Sequence, residues 1–323
     1  MSMDRHAQQT LRQHSKSFHW AGRFLSREAL DKGARLYRIC REVDDWADEA
    51  HTREQERQAH RQLTALHAGL RPDTARADPD TLPHAERQRV EELLAQIRAL
   101  FGDDPAACQA MGDLLLTMQR DLSRVRIEDD AALLDYAYGA AGTVGVMMCH
   151  CLGARDIARA RVFAMDLGMA MQMTNIARDV LEDAQRDRIY LPRTWLAHDI
   201  SAEAIARGDP AARQAAWAAI KRLVAHAEAY YASGWQGLAY LPARPRLAIA
   251  VAGRVYRDIG RRILTLEASR YWSTRVTVPT AGKAYQSLLA VAQVPWLPAS
   301  PTHDSHLHRP WQTRWTGRGD TGS

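Results

Sequence analysis

Helical periodicity runs through almost the whole chain of 323 residues and limits it to an all-α architecture. Apolar residues recur three and four positions apart over long segments, which is the spacing of amphipathic helices. Turn-forming stretches such as "RPDTARADPDTLP" (71–83) and "LPARP" (241–245) separate those segments. Only "STRVTVPT" (273–280) has the alternation of a β-strand. No βαβ alternation, glycine-rich phosphate loop or fixed short repeat occurs, which argues against Rossmann, P-loop and solenoid folds.

We predict helices whose boundaries lie at these turn-forming stretches. They cover residues 4–14, 27–50, 53–70, 84–101, 105–121, 129–152, 156–184, 193–196, 201–208, 211–240, 243–271 and 280–293. We assign residues 1–294 to one domain, and 295–323 to a Pro-, His- and Arg-rich tail that we expect to be flexible or loosely packed. The sequence gives no paired ligands for the tail histidines His303, His306 and His308.

The composition is that of a globular protein with a sizeable core, because 46% of the residues are hydrophobic and 25% are charged. The chain has 43 basic and 38 acidic residues, for a net charge of +5. This mild excess fits an acidic small molecule, an anionic membrane surface, nucleic acid or ordinary surface charge. The basic residues are scattered and no nucleic-acid-reading motif occurs, so we expect no nucleic-acid partner. The oligomeric state stays open.

The cysteines and the chain start predict a cytoplasmic protein. The cysteines, Cys40, Cys108, Cys149 and Cys151, have neither zinc-type spacing nor a disulfide pattern, which favours a reducing compartment. Residues 1–20 contain no signal-peptide core, and the longest apolar run is shorter than the ~20 residues of a membrane span. Peripheral contact with the inner face of a membrane stays open, since Trp296, Trp311 and Trp315 of the tail could touch its interface.

Two helices carry acidic stripes on otherwise apolar surfaces. In "ARLYRICREVDDWADEA" (34–50), Tyr37, Arg41, Asp44 and Asp48 fall within about 60° of one another around the helix axis. The rest of the circumference is largely apolar, so this helix can pack inside a bundle. Asp44 and Asp48 are like charges one turn apart, which disfavours an isolated helix. We therefore expect a cation beside them.

The second stripe lies in "QMTNIARDVLEDAQRDRIYLP" (172–192). Gln172, Asn175, Asp179 and Asp183 span about 80° around its axis, and the last three are spaced about 6 Å apart. Such a row of oxygen donors suits Mg²⁺, which binds a few carboxylates and completes its coordination with water and phosphate oxygens. The two stripes could also be solvated helix faces. Burying both without cations would cost more than a domain's stability, so we favour metal ions that hold a diphosphate.

At these residues the sequence resembles the head-to-head trans-isoprenyl diphosphate synthases, that is, the squalene and phytoene synthases. The resemblance extends from "HSKSF" (14–18) to "RVTV" (275–278), and its most specific pieces are "YRICREVDDWADE", "YAYGAAGTVG" (136–145) and the segment 172–192. "VGVMMCHCLG" and "LTLEASRYWSTRVTV" are closer to bacterial phytoene synthases. The resemblance implies an all-α isoprenoid (terpenoid) synthase fold, a single helical bundle around a central cavity between the two acidic helices.

The resemblance also implies roles for individual residues. Asp44 and Asp48 match the family's first acidic motif, and Asn175, Asp179 and Asp183 match the second, as ligands of Mg²⁺ or Mn²⁺. The residues matching positions around the diphosphates are Arg41, Gln172, Arg178, Arg188 and Tyr190. Ser15, Lys16, Ser17 and Phe18 match the segment that folds over the cavity mouth, and Tyr37, Tyr256 and Arg275 match further cavity or diphosphate positions. We count Asp44, Asp48, Asp179, Asp183, Tyr37 and Arg41 as the catalytic set.

The activity implied is the condensation of two geranylgeranyl diphosphates to phytoene through prephytoene diphosphate, the first committed step of carotenoid biosynthesis. No nicotinamide cofactor is expected. Alternatives are a squalene or dehydrosqualene synthase that uses farnesyl diphosphate, and a non-catalytic lipid-binding relative. Candidates for the apolar cavity wall are Tyr136, Ala140, Val144, Met147, Met169 and Met173, although we favour ordinary helix packing as the explanation for each one. The small residues of "GAAGTVG" allow either close helix contact or room for a long chain.

Overall fold

Helices make up most of the structure, a computed structural model that describes residues 16–70, 82–102, 104–123, 125–196 and 199–310, without the side chains of residues 16–18. The α-helices are α1 (Lys16–Gly22), α2 (Arg27–Asp48), α3 (Arg53–Gly69), α4 (His84–Phe101), α5 (Pro105–Asp121), α6 (Asp130–Ala137), α7 (Thr143–Cys151), α8 (Ile157–Gln185), α9 (Ala202–Arg207), α10 (Pro210–Gly237), α11 (Ala243–Thr265), α12 (Ala268–Tyr271) and α13 (Thr280–Gln293). Within these ranges the only β pairing is an isolated bridge between Arg126 and Ile189. The prediction of an all-α fold is therefore confirmed.

Several helices begin at the predicted residues with a polar side chain that caps their first turn. The Ser26 hydroxyl accepts a hydrogen bond from the Ala29 amide at 3.2 Å and starts α2. Asp104 caps α5 by accepting from the amides of Ala106 and Ala107, with Pro105 in the first turn. Such caps satisfy amides that have no partner inside the helix, so a local signal suffices to place the boundary.

The predicted helix 129–152 is wrong as a single element. A π-helical turn, Tyr138–Gly142, separates α6 from α7. Glycines at this point let helices touch through their backbones. A Cβ atom added to Gly145 would lie 2.1 Å from the Ala164 carbonyl oxygen, and one added to Gly168 would lie 2.3 Å from the Ala141 carbonyl oxygen. The small residues therefore serve close approach between α8 and the segment from the π turn to α7.

Replacing Gly145 by Ala is expected to lower the free energy of unfolding by about 2 kcal/mol, because the new methyl group would push α7 away from the α8 backbone. Gly33→Ala in α2 is the matched control. The nearest atom to its Cβ would be the mobile Met148 Cε, 3.6 Å away. Gly33→Ala should be neutral or slightly stabilising, since Ala favours a helix interior over Gly. Urea denaturation followed by circular dichroism measures both; equal stability of the two variants would contradict the close contact.

Helix α8 lies at the centre of the bundle and packs against α7, α10 and α11. The buried side chains form two clusters. One is built mainly from α8, α10 and α11, with members such as Met169, Val224 and Val251. The other is built from α2 to α5 and α7, with members such as Leu36, Leu63 and Leu115. Helices of both clusters line one large cavity, which therefore lies between them.

One other predicted helix is divided in the structure. The predicted helix 243–271 ends at Thr265 and resumes as α12 after Leu266, whose backbone is extended. Residues 273–280 form no strand and run along the cavity before α13. The predicted helix 4–14 lies outside the described residues. Within the described ranges, no helix combines the length and apolar character that crossing a membrane requires.

The described part of the tail, residues 295–310, contacts the bundle. The Tyr230 hydroxyl donates a hydrogen bond to the Leu307 carbonyl oxygen at 2.6 Å. The expectation that the tail histidines lack paired ligands is wrong for His303 and His308, which both contact Asp166. Trp296 is 86% exposed. The boundary at residue 295 and membrane contact remain predictions, and Trp311 and Trp315 lie outside the described residues.

Candidate active site

The cavity between the two clusters has a volume of about 960 Å³, at the upper end of the ~300–1,000 Å³ range of ligand pockets. Acids and arginines of α2, α8 and the segment after α8 form one part of its wall. Apolar residues such as Leu114, Leu167 and Ile259 form much of the rest. A cavity of this kind suits a ligand with an anionic head and a long apolar tail.

The structure brings nearly all of the predicted site residues into this cavity wall. Those that line it are Tyr37, Arg41, Asp44, Asp48, Gln172, Asn175, Arg178, Asp179, Asp183, Arg188, Tyr190, Tyr256 and Arg275. Ser15 lies outside the described residues, as do the side chains of Lys16, Ser17 and Phe18, whose backbone begins α1. Ala21 and Gly22, at the other end of α1, line the cavity.

Arginines supply the positive charge that the α2 stripe requires. The Arg41 guanidinium contacts Asp44 Oδ2 at 2.9 Å and Asp45 Oδ1 at 2.5 Å. Arg188 donates to Asp48 Oδ1 at 2.5 Å. Arg41 is part of α2 itself, whereas Arg188 comes from the segment after α8 and connects the two acidic helices.

The loop that presents Arg188 and Tyr190 is held by backbone contacts. After α8, Asp187 adopts a left-handed φ of 55°, and Arg126 donates to its carboxylate at 2.5 Å. The Ile189 amide then donates to the Val125 carbonyl at 3.2 Å. This turn carries Arg188 back towards Asp48 and places Tyr190 in the cavity wall.

The α8 stripe is also paired with arginines. Arg178 donates to both oxygens of Asp179, at 2.8 and 2.5 Å. Arg275, from the segment before α13, contacts Asp179 Oδ1 at 3.0 Å. The Asn175 side chain donates to Gln172 Oε1 at 3.3 Å, while Asn175 Oδ1 is buried without a hydrogen-bond partner.

Like charges at close range disturb the protonation of the acids. Burial, followed by the neighbouring Asp48 carboxylate, raises the pKa of Asp44 to about 6. Its side chain is 39% exposed, but that surface faces the cavity, and the surrounding protein still desolvates the carboxyl group. Burial, followed by Asp179, raises the pKa of Asp183 to about 8. A cation between the stripes would offset this repulsion.

The donor set fits a hard divalent cation. Carboxylates of both helices face one cavity, and the unpartnered Asn175 Oδ1 supplies an additional oxygen donor in the α8 row. Mg²⁺ and Mn²⁺ prefer such carboxylate and carbonyl oxygens. The residues present therefore match the divalent-metal requirement that the resemblance implies.

The pKa shifts predict that the metal-free protein loses stability as the pH rises. Asp183 has an ordinary pKa of 3.8 and a pKa of about 8 in the fold. Between about pH 4 and about pH 8 the native protein therefore binds more protons than the unfolded chain, and its stability falls with increasing pH. We expect a loss on the order of 2 kcal/mol between about pH 6 and about pH 9 in EDTA.

Asp183→Asn should remove most of this loss, because the amide cannot ionise. Glu49→Gln is the control, since Glu49 is an exposed acid outside the cavity wall. Chemical denaturation at a series of pH values, with EDTA present, measures the effect. A wild-type stability that falls over this interval no more steeply than that of Asp183→Asn would contradict the prediction.

Sequence reasoning missed Asp121, at the end of α5. It lines the cavity and accepts a hydrogen bond from the Tyr136 hydroxyl at 3.0 Å. Burial raises the pKa of Asp121 to about 7. The Tyr136 ring lies 4.6 Å from that of Tyr190, measured between centroids. The only local signal for Asp121 was its position as an acid at the end of the largely apolar segment "DLLLTMQRD" (113–121). Its partner, Tyr136, lies on another helix, so the sequence did not connect the two residues.

Of the six candidates for the apolar wall, three line the cavity and three pack in the core. Tyr136, Ala140 and Val144 line the cavity. Met147, Met169 and Met173 are fully buried in the core clusters and do not line it. Met148 and Met171 face the cavity instead. Packing against neighbouring helices thus decides which face of α7 and α8 borders the cavity.

An all-α bundle with two acidic helices and an apolar chamber defines an isoprenoid synthase type of enzyme. Residues 11–281 match the family described as squalene/phytoene synthase. The chain therefore belongs to the squalene/phytoene synthase family. It is a prenyltransferase of a divalent-metal-dependent family that joins prenyl diphosphates head-to-head.

Individual relatives agree with this assignment. The chain is 34% identical over 316 residues to the 15-cis-phytoene synthase of Pantoea ananas, covering 96% of this chain and 98% of that protein. It is 36% identical over 292 residues to the phytoene synthase of Pseudescherichia vulneris, covering 90% and 91%. The crystal structure of a dehydrosqualene synthase in complex with ligand is similar in fold. Its TM-score is 0.69 at 24% identity, covering 90% of this chain and 96% of that one.

Proposed function

We propose that the protein condenses two geranylgeranyl diphosphates head-to-head, through prephytoene diphosphate, to phytoene. The observation that carries this proposal is the cavity of about 960 Å³, whose wall is rich in acids and arginines in one part and largely apolar in the rest. The similarity to phytoene synthases over almost the whole chain favours the geranylgeranyl substrate.

The acidic stripes would hold the metal ions. Asp44 and Asp48 on α2, with Asn175, Asp179 and Asp183 on α8, are the proposed ligands. When bound, Mg²⁺ or Mn²⁺ acts as a Lewis acid towards the diphosphate leaving group. The arginines that now pair with these acids could then turn to the diphosphate.

Arginines and a lysine bind the diphosphate oxygens in this proposal. Arg41, Arg178 and Arg188 lie in the cavity wall beside the acids, and their planar guanidinium groups match phosphate oxygens well. Gln172 and Arg275 contact the same acidic row, and Lys16 belongs to the segment expected at the cavity mouth. These groups stabilise the negative charge that develops on the leaving group.

The apolar wall protects the carbocation that remains. Aliphatic side chains exclude water, which would otherwise capture the cation. The faces of Tyr37, Tyr136 and Tyr256, all in the cavity wall, can stabilise positive charge. The first condensation releases one diphosphate and one proton and gives a cyclopropane. Loss of the second diphosphate, rearrangement and loss of another proton give phytoene without a reductant.

A substrate assay tests the proposal. The purified protein is incubated with labelled geranylgeranyl or farnesyl diphosphate, with Mg²⁺ and with or without NADPH, and the hydrocarbons are identified by chromatography. We expect phytoene from geranylgeranyl diphosphate and no effect of NADPH. Preference for farnesyl diphosphate would favour a dehydrosqualene synthase, the activity named for the similar crystal structure, and NADPH-dependent squalene would favour a squalene synthase. Either result would contradict the proposal.

A further inference from the structure

A second group of potential metal ligands lies away from the cavity. Asp166 is on α8, nine positions before Asn175, and hence about 180° around the helix axis from it. Its side chain is fully buried and does not line the cavity. The carboxylate therefore takes no part in the site described above, although it lies on the same helix.

Two histidines of the tail converge on this carboxylate. His303 Nε2 lies 2.8 Å from Asp166 Oδ2, and His308 Nε2 lies 2.6 Å from Oδ1. The imidazoles are only 15% and 12% exposed. The Ser233 hydroxyl of α10 donates to Asp166 Oδ2 at 2.5 Å. One carboxylate, two imidazoles and one hydroxyl thus meet at a buried point.

Several contacts fix the histidines in place. The Phe163 and His303 rings pack edge to face, with centroids 5.2 Å apart. The hydrogen bond from Tyr230 to the Leu307 carbonyl holds the residue next to His308. A short 3₁₀ turn, Ser305–His308, brings His308 back towards α8, and Asp304 caps it by accepting from the His306 amide at 3.0 Å. Ligands held this way need little further ordering to bind an ion.

Asp166 is fully buried, and its two carboxylate oxygens contact His303, His308 and Ser233. Burying a carboxylate is costly unless it is paired with a cation or binds a metal ion.

We propose that Asp166, His303 and His308 form a second metal site, which takes a divalent transition-metal ion such as Zn²⁺. One ligand atom from each residue can be chosen so that all lie within 4.8 Å of one another. Two imidazoles and one carboxylate are typical ligands of Zn²⁺, whereas Mg²⁺ prefers oxygen ligands. Ser233 or a water would take the fourth position. The ion would tie the tail to the helix that carries the second acidic stripe.

The test measures zinc retained by the whole protein. Chelator-treated protein is loaded with Zn²⁺ in excess Mg²⁺, which occupies the oxygen-rich cavity site, and is then dialysed and assayed for zinc. We expect the wild type to retain about one more Zn²⁺ per chain than the double variant His303→Ala/His308→Ala. His306→Ala is the matched control, because His306 lies in the same turn but is exposed. It should retain zinc like the wild type.

Thermal unfolding separates a metal site from a purely hydrogen-bonded contact. Asp166→Asn preserves the size of the side chain and one acceptor oxygen but removes the charge that a metal requires. Zn²⁺ should raise the Tm of the wild type and of His306→Ala, and not that of Asp166→Asn or of the double variant. Equal zinc retention by the wild type and the double variant, or no zinc-dependent rise in the wild-type Tm, would overturn the proposal. The contacts would then be hydrogen bonds alone.

Discussion

Replacing Asp179 by Ala is expected to lower kcat by at least about 10³-fold, because the variant loses a proposed metal ligand where leaving-group charge develops. Asp44→Ala, on the opposite helix, should cause a loss of similar size. Both side chains line the cavity, so their removal leaves no void in the packed core. Steady-state kinetics with the diphosphate substrate measure the loss, and far-UV circular dichroism should show wild-type helicity.

Glu49→Ala provides the control for this experiment. Glu49 directly follows α2, one residue after Asp48, but its side chain is exposed and lies outside the cavity wall. It carries the same charge as the proposed ligands, so its removal changes the net charge equally. Its kcat should stay within about twofold of wild type, as for most surface substitutions. Retained turnover in both Asp44→Ala and Asp179→Ala would count against the assignment of the acidic stripes.

Removal of divalent ions is the second large effect. Excess EDTA should stop turnover almost completely, and Mg²⁺ or Mn²⁺ in excess over the chelator should restore it. The reason is that burial, followed by a carboxylate on the same helix, raises the pKa of Asp44 to about 6 and that of Asp183 to about 8 in the metal-free protein. A divalent cation offsets this repulsion between neighbouring acids and allows both stripes to be ionised. The measurement is the rate of diphosphate release.

The choice of restoring ion distinguishes the two proposed metal sites. Oxygen ligands favour Mg²⁺ and Mn²⁺ in the cavity, while the imidazoles beside Asp166 favour Zn²⁺. The double variant His303→Ala/His308→Ala should therefore still regain turnover with Mg²⁺ after EDTA treatment. Full turnover of the wild type in EDTA would contradict a role for divalent ions in the reaction.

Local signals were sufficient to predict much of the fold. The bounds predicted for α4, α5 and α13 agree with the structure at both ends, because prolines, acids and a terminal glycine mark them in the sequence. The π turn at Tyr138–Gly142 was missed. It lies where Gly145 and Gly168 allow the backbones of two helices to touch, and this contact joins segments that are distant in sequence. The apolar pattern of one helix does not indicate which other helix will pack against it.

The site divides in the same way. Spacing alone placed Asp44 in the polar stripe of one helix and Asp179 in the polar stripe of another. The family resemblance indicated that the two stripes face the same cavity. Asp121 was missed, because its significance comes from Tyr136 on another helix. The sequence left open whether Met147 lines the cavity or packs in the core, because periodicity gives the apolar face but not the neighbour that covers it. The contact of His303 with Asp166 joins residues 137 positions apart, which no local pattern reveals.

Binding of inorganic diphosphate, measured by titration calorimetry, tests most directly whether metal ions join the two acidic stripes to a diphosphate. We expect saturable binding in the presence of Mg²⁺, none in EDTA, and loss of the Mg²⁺-dependent binding in both Asp44→Ala and Asp179→Ala, with Glu49→Ala unchanged. Binding of equal strength in EDTA, or binding that neither aspartate substitution weakens, would show that arginines alone hold the diphosphate and would contradict the account.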